Sequence, residues 1–171
     1  MILRPARPAD AAPLAELGRT SFCAAFAQLY DPADLAAFLA EVYAESVVAG
    51  EIADPGITHR LAVAADGALA GYAKIFDPSC YAEYSAARRP LALGQLYTDP
   101  AQTGQGIGTA LMDWVLAEAR VPHDFVPVST KAGENRTEAF TKINPRQQVP
   151  VLRLPDGTII TIVPCKSFKV Y

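Results

Sequence analysis

The stretch Leu91–Ala119, LALGQLYTDPAQTGQGIGTALMDWVLAEA, decides how the chain is read. Leu91–Tyr97 is β-compatible and predicts a strand. Asp99-Pro100 then turns the chain. Gly104-Gln105-Gly106-Ile107-Gly108 runs straight into a helix expected from about Gly106 to Arg120, with Leu111, Val115 and Ala119 on one side. Glycines let backbone N–H groups approach an anion without a Cβ in the way. A helix N-terminus adds unpaired N–H donors and the positive end of the dipole. The loop is therefore a candidate pyrophosphate cradle that needs no basic side chain. It lies past mid-chain, which disfavours a dinucleotide-binding first βα unit, and it lacks the Lys-Ser/Thr pair of a P-loop. A purely structural tight turn is the alternative.

Outward from this loop, Met1–Arg4 predicts a short strand closed by Pro5 and Pro8. Asp10 is a plausible N-cap for a helix to about Gln28, with Leu14, Leu17, Phe22, Phe26 and Leu29 near one face. Asp31 can cap a second helix, in which Leu35, Phe38, Leu39, Val42 and Tyr43 follow the i, i+3, i+4, i+7, i+8 pattern. Leu61–Ala65 and Ala68–Ile75 flank Asp66-Gly67, a two-residue hairpin signal. Beyond Arg120, Phe125–Ser129 reads as a strand and Glu134–Lys142 as a short helix. Val149–Leu154 and Thr158–Val163 read as a hairpin around Asp156-Gly157. The expected order is β-α-α-β-β-β-α-β-α-β-β, a mixed α/β fold around one sheet.

The 171 residues fit one domain, 51% hydrophobic and 19% charged, with a net charge of -3. No dense Lys/Arg run points to nucleic acid or to an anionic membrane. Cys23, Cys80 and Cys165 are far apart and make no CxxC pair, and His59 and His123 do not cluster with them. No metal site is expected, and a reduced, cytoplasmic setting is the simplest reading. The opening MILRPARPAD has no apolar core of a signal peptide, and no run approaches the ~20 apolar residues of a membrane span.

ILRPARPADAAPLAEL (residues 2–17) resembles the opening of GNAT (Gcn5-related) N-acetyltransferases, and LYTDPAQTGQGIGTALM (residues 96–112) resembles their acetyl-CoA motif. The resemblance covers about residues 1–120. The family's Gln/Arg-x-x-Gly-x-Gly/Ala motif falls on Thr103-Gly104-Gln105-Gly106-Ile107-Gly108, with Thr103 at the Gln/Arg position and Gln102 beside it. The resemblance implies an acyl-CoA N-acyltransferase-like fold with acetyl-CoA as co-substrate. Thr103, Gly104, Gln105, Gly106, Ile107, Gly108 and Thr109 would form its loop. The bulged, splayed end of the strand, Leu96, Tyr97 and Thr98, would pair through its backbone with the pantetheine arm. The acceptor would be a small-molecule amine or a peptide, and a homodimer is one assembly the sequence allows.

The catalytic half departs from that pattern. The family's Asn-containing helix with Phe-Tyr is matched by Asn135–Thr141, about one residue short, with Thr141 at the Tyr place; its hydroxyl is a far poorer acid than a phenol. Gln95 stands where some members carry a catalytic Glu, and an amide is no base. No catalytic residue is assigned. Instead DFVPVSTKAGENRTEAFTKINPRQQVPVLRLPDGTIIT (residues 124–161) resembles the thioredoxin-like domain of glutathione S-transferases, from the second strand through the fourth. Val149-Pro150 matches that family's glutathione-holding step. The upstream thiol-activating residue is missing, however, and Ile162-Val163 replaces the Glu/Gln-Ser pair, so glutathione chemistry is not expected. The chain reads as one GNAT-like domain over 1–171, with residues 1–120 carrying the acetyl-CoA part and 121–171 a tail of other resemblance. The readings are an N-acetyltransferase, a catalytically impaired CoA-binding hybrid scaffold or, third, a glutathione-binding module.

Overall fold

The computed structural model describes residues 1–79, 83, 90–120, 126, 128–129, 132–145, 147, 151–153 and 159–161, with backbone alone at 152–153 and 159–161. The chain divides into two compact units, Met1–His123 and Asp124–Tyr171.

In the first unit four strands, β1 (Ile2–Pro5), β2 (Ile57–Val63), β3 (Leu69–Phe76) and β4 (Ala92–Thr98), form an antiparallel sheet in the order β1-β2-β3-β4. Helices α1 (Ala11–Phe26), α2 (Pro32–Val42) and α3 (Glu45–Ala53) follow β1, and α4 (Ile107–Glu118) follows β4. Alternation along the strands gives the sheet two apolar faces. One packs Leu61, Val63 and Tyr72 against Leu14, Ala15, Leu17 and Val48 of α1 and α3. The other packs Ala62, Ala73 and Ile75 against Ile107, Leu111 and Val115 of α4. Gly71 lets α4 seat closely, because a Cβ there would stand 2.8 Å from the Tyr97 carbonyl oxygen and 2.9 Å from Ile107 Cγ2.

Several expectations change. Asp31 caps α2 by accepting from the Ala33 N–H at 2.9 Å. Asp10 makes no such bond to α1; its backbone is already helical, and its carboxylate turns back to Arg4 (2.6 and 2.7 Å) and the Arg7 N–H (2.7 Å). It thereby ties a 3₁₀ turn, Pro8–Asp10, to β1. The helical stripe ends at Phe26. Ala27–Leu29 tightens to 3₁₀, which changes the phase, and Leu29 is 70% exposed. The β2–β3 link is a three-residue loop, not a two-residue one: Ala64 N–H bonds Ala68 O, Gly67 N–H bonds Ala64 O, and Gly67 alone has positive φ. Helix α3 is an addition to the expected order.

In the second unit, the expected helix splits into a 3₁₀ turn, Glu134–Arg136, and α5 (Glu138–Ile143), whose N-cap Thr137 accepts from Phe140 N–H. Strands β5 (Val151–Arg153) and β6 (Ile159–Thr161) pair antiparallel with each other, so the described strands form two sheets where one was expected. Most of the expected strand Phe125–Ser129 lies outside the described residues. So do the Asp156-Gly157 turn, Val149-Pro150, Cys80, Tyr81, Tyr84, His123 and Cys165.

Candidate active site

β4 is the edge strand of its sheet among the described residues. Its bulge falls at Gly94, where Lys74 faces Gln95 and Ile75 faces Leu93, and not at the Leu96–Thr98 end. A Cβ on Gly94 would run into the Phe76 ring, which makes glycine the residue that fits there. Asp99 N–H bonds Ala70 O at 2.9 Å. Antiparallel alternation from that bond turns the backbone of Tyr97 toward β3 and the backbones of Leu96 and Thr98 to the free edge. The Thr98 carbonyl already accepts from Ser21 Oγ on α1 at 3.1 Å. Leu96 N–H, Leu96 C=O and Thr98 N–H therefore point outward, and no strand among the described residues meets them.

The loop sits directly against this edge. Asp99 caps a 3₁₀ turn, Pro100–Gln102, by accepting from Ala101 N–H. Thr103 donates its hydroxyl to Pro100 O at 3.4 Å. Gly104 and Gly106 have φ of +81° and +77°, a conformation that favours glycine, and a Cβ at either would meet nothing within 4 Å. Gly106 is the N-cap of α4 and supplies no side-chain bond; the first intrahelical donor is Ala110, to Gly106 O. The N–H groups of Ile107, Gly108 and Thr109 thus have no helical acceptor. Ile107 is buried and anchors the turn, while Thr103, Gly104, Gln105 and Gly106 are exposed. The position where a Gly108 Cβ would stand is 3.7 Å from Thr98 Cγ2 and 3.9 Å from Leu96 Cδ2, so the N–H cradle and the free strand edge are contiguous.

On the opposite face of β4 lies a buried polar belt that sequence reading did not assemble. Tyr72 Oη donates to Gln95 Oε1 at 2.9 Å, and Gln95 Nε2 donates to Tyr43 Oη at 3.3 Å. Gly18 makes room for this: a Cβ there would stand 2.6 Å from the Tyr43 ring and 3.1 Å from Tyr72 Oη. Burial pushes the hydroxyls of Tyr43, Tyr72 and Tyr97 above the ordinary phenol value. One row further along the strands, Lys74 Nζ donates to Glu51 Oε1 at 2.7 Å, and His59 Nε2 lies 3.2 Å from Glu51 Oε2. Burial works against the charge on Glu51, but the hydrogen bonds of His59 and Lys74 outweigh it and hold the carboxyl below its ordinary value. His59 Nδ1 is buried without a partner. The belt was invisible in sequence because its hydrogen bonds from Tyr72 to Gln95, from Lys74 to Glu51 and from Gln95 to Tyr43 each join distant parts of the chain; strand register alone brings Lys74 opposite Gln95.

Other side chains that could be taken for site residues stand elsewhere. Trp114 packs on the α4 face with Arg60 Cζ 4.6 Å over its ring, and Glu118 is exposed. In the second unit, Thr141 Oγ1 donates to Thr137 O at 2.8 Å, so its proton is already placed within the helix. A cleft of about 190 Å³ lined by Pro5, Ala6, Ile52, Ile57, Thr58 and His59 shares no residue with the loop. Among the described residues no His/Cys/Asp/Glu group could hold a metal, and no helix is long and apolar enough to cross a membrane.

A strand edge continuous with a glycine-lined helix N-terminus can take an extended ligand that ends in a phosphate group. The acetyltransferase (GNAT) family model matches residues 22–132, and the chain belongs to that family. Residues 112–161 also match the model of the glutathione S-transferase N-terminal domain, overlapping the first match across the end of α4. Among solved structures, the chain is similar to the PaiA N-acetyltransferase of Thermoplasma acidophilum in complex with coenzyme A. They share 19% identity and a TM-score of 0.56, covering 92% of this chain and 94% of that one. It is also similar to a GCN5-related N-acetyltransferase of Ralstonia eutropha JMP134 (20% identity, TM-score 0.54, 84% and 90% covered). A GCN5-related N-acetyltransferase of Rhodopseudomonas palustris gives 26% identity and a TM-score of 0.53, with 71% and 68% covered. No curated protein sequence matches the chain.

Proposed function

We propose that the protein is an acetyl-CoA-dependent N-acetyltransferase that moves an acetyl group to an amine by direct attack. The observation that carries this is the continuity of two sets of backbone donors left over by the described elements: Ile107, Gly108 and Thr109 at the head of α4, and Leu96 and Thr98 along the edge of β4. The residues fit the co-substrate. The open space over Gly104 and Gly106 admits a pyrophosphate, whose charge the helix N-terminus favours without a basic side chain. Gln105 and Thr103 border that space. The outward groups of Leu96 and Thr98 suit the amides of a pantetheine arm laid as an added strand. Tyr97 contributes its side chain and not its backbone. The PaiA neighbour's complex with coenzyme A supports the reading.

The co-substrate supplies an activated acetyl thioester, which the chain holds along the edge of β4. Binding and orientation, rather than acid–base chemistry, are its contribution. The reading extends to a cytoplasmic protein that needs no metal, that acts on a small amine or a peptide and that works as a monomer or a homodimer. Calorimetry with acetyl-CoA and CoA tests it: micromolar to millimolar binding with thiol release in the presence of an amine is expected. No heat and no thermal shift at millimolar ligand would sink it.

A second reading is favoured by two specific residues. Gln95 carries no titrating group at the bulge, and Thr141 has its hydroxyl proton committed to Thr137. A CoA-binding scaffold with little turnover would show the calorimetric signal but no thiol release across a broad amine panel.

A further inference from the structure

We propose that Ser21 is a positioning residue for the co-substrate: it fixes the end of β4 and so sets where the pantetheine arm pairs. This rests on the acetyl-transfer reading and adds a residue to that same site. Ser21 stands on α1, on the face that Leu14 and Leu17 bury against the sheet, and is itself 4% exposed. A serine inside a helix can turn its hydroxyl back to the carbonyl of the preceding turn. Here the hydroxyl leaves its own helix and donates to Thr98 O at 3.1 Å, across 77 positions of sequence.

The bond closes a clamp on one peptide unit, the one between Thr98 and Asp99. Its N–H is held by Ala70 O at 2.9 Å on the β3 side, and its carbonyl is held by Ser21 on the other. A strand end paired on one side alone opens readily. This one is tied to β3 and to α1 at once, and the adjoining Thr98 N–H is held in its outward direction.

The clamp lies between the two halves of the site. On one side stand the outward groups of Leu96; on the other, the 3₁₀ turn Pro100–Gln102 leads into the loop. The head of α4 returns against the same residues, since the position of a Gly108 Cβ is 3.7 Å from Thr98 Cγ2. An arm running from a phosphate at the head of α4 along β4 therefore meets fixed partners, Thr98 N–H as donor and Leu96 C=O as acceptor. Without the Ser21 hydroxyl, Thr98 C=O would be released as a second acceptor and the arm could pair in a shifted register. It would then meet a strand end that is neither ordered beforehand nor single in its register.

The test compares the full chain with its Ser21→Ala variant in NMR titrations of CoA, which carries the arm, and of ADP, which carries the pyrophosphate without it. Ser21→Ala should raise the CoA Kd about threefold to tenfold, roughly the worth of one hydrogen bond, and leave the ADP Kd within about twofold. A serine that served stability alone would lower Tm and leave the ratio of the two Kd values where it was. Equal weakening of both ligands, or a CoA Kd that is unaltered or lower, overturns the proposal. A parent that binds CoA but not ADP also overturns it, because loop and edge then do not act separately. Should Ser21→Ala fail to fold, amide exchange in the parent decides. The Asp99 N–H should be protected before any ligand is added, and the Thr98 N–H should gain protection with CoA and not with ADP. An Asp99 amide that exchanges as in an unstructured chain, or a Thr98 amide that responds alike to both ligands, overturns the proposal. A parent that takes neither ligand overturns the acetyl-transfer reading itself, and the role of Ser21 with it.

Discussion

Replacing Gly71 with alanine separates the seating of α4 from every other contribution to stability. The added methyl carbon would stand 2.8 Å from the Tyr97 carbonyl oxygen, 2.9 Å from Ile107 Cγ2 and 3.2 Å from Leu111 Cδ1, where ordinary contact begins at 3.4 Å. The oxygen is backbone in the β3–β4 ladder and cannot swing aside, so helix and strand must part by roughly half an ångström. Overpacking of this kind costs about 1–3 kcal/mol. For a unit of this size that lowers Tm by roughly 4–12 °C. Gly50, inside α3, is the control, because its Cβ would meet nothing within 4 Å. Gly50→Ala should raise stability by up to ~1 kcal/mol through helix propensity alone. Thermal unfolding by far-UV circular dichroism reads both variants, and acetyl-CoA titration should show a several-fold weaker Kd for Gly71→Ala, because Ile107 starts the N–H cradle. A Gly71→Ala protein that melts at or above the parent temperature would refute this account of how α4 is seated.

Other substitutions probe the belt, the N-terminal turn and the loop. Glu51→Gln should cost roughly 2–4 kcal/mol near neutral pH, because it leaves Lys74 buried without its counter-charge. Since the folded-state pKa of Glu51 is depressed, its contribution is complete above the ordinary carboxylate value of about 4.3 and is lost as pH falls through the folded value. Urea unfolding at neutral and acid pH should therefore show the gap to the parent narrowing on acidification; a constant gap would contradict it. Asp10→Asn should cost about 1–2 kcal/mol in the same assay by breaking the forked bond from Arg4, and a loss under ~0.3 kcal/mol would count against that tie. Gly106→Asp places a carboxylate at a left-handed N-cap. It should raise the acetyl-CoA Kd by tenfold or more at a cost of about 1–2 kcal/mol in stability, and unaltered binding would remove the loop from the site.

What could be read from the sequence was local. The Gly104–Gly108 turn was legible because positive φ at Gly104 and Gly106 demands glycine within a few residues of a strand and a helix. The Asp31 cap was legible for the same reason of proximity. Helix α3 was not, because Val47, Val48 and Gly50 are weak helix formers and Val48 alone of its residues is buried, which leaves no stripe to recognise. The length of the Asp66-Gly67 link depended on Asp66 keeping negative φ, which composition does not reveal. The hydrogen bond from Tyr72 to Gln95 required the register of three strands and the bulge at Gly94. No spacing in the chain encodes that.

The hydroxyl of Ser21 has a further consequence for how the protein behaves in a crowded solution. An open edge strand invites a neighbour's strand to add to it, which is a route to aggregation. By occupying the Thr98 carbonyl, Ser21 removes a link that such a ladder would use, and the 3₁₀ turn at Pro100–Gln102 ends the strand just beyond. Among the described residues, the last three of the strand then keep two donors and one acceptor at the free edge, enough to seat a short amide-bearing arm.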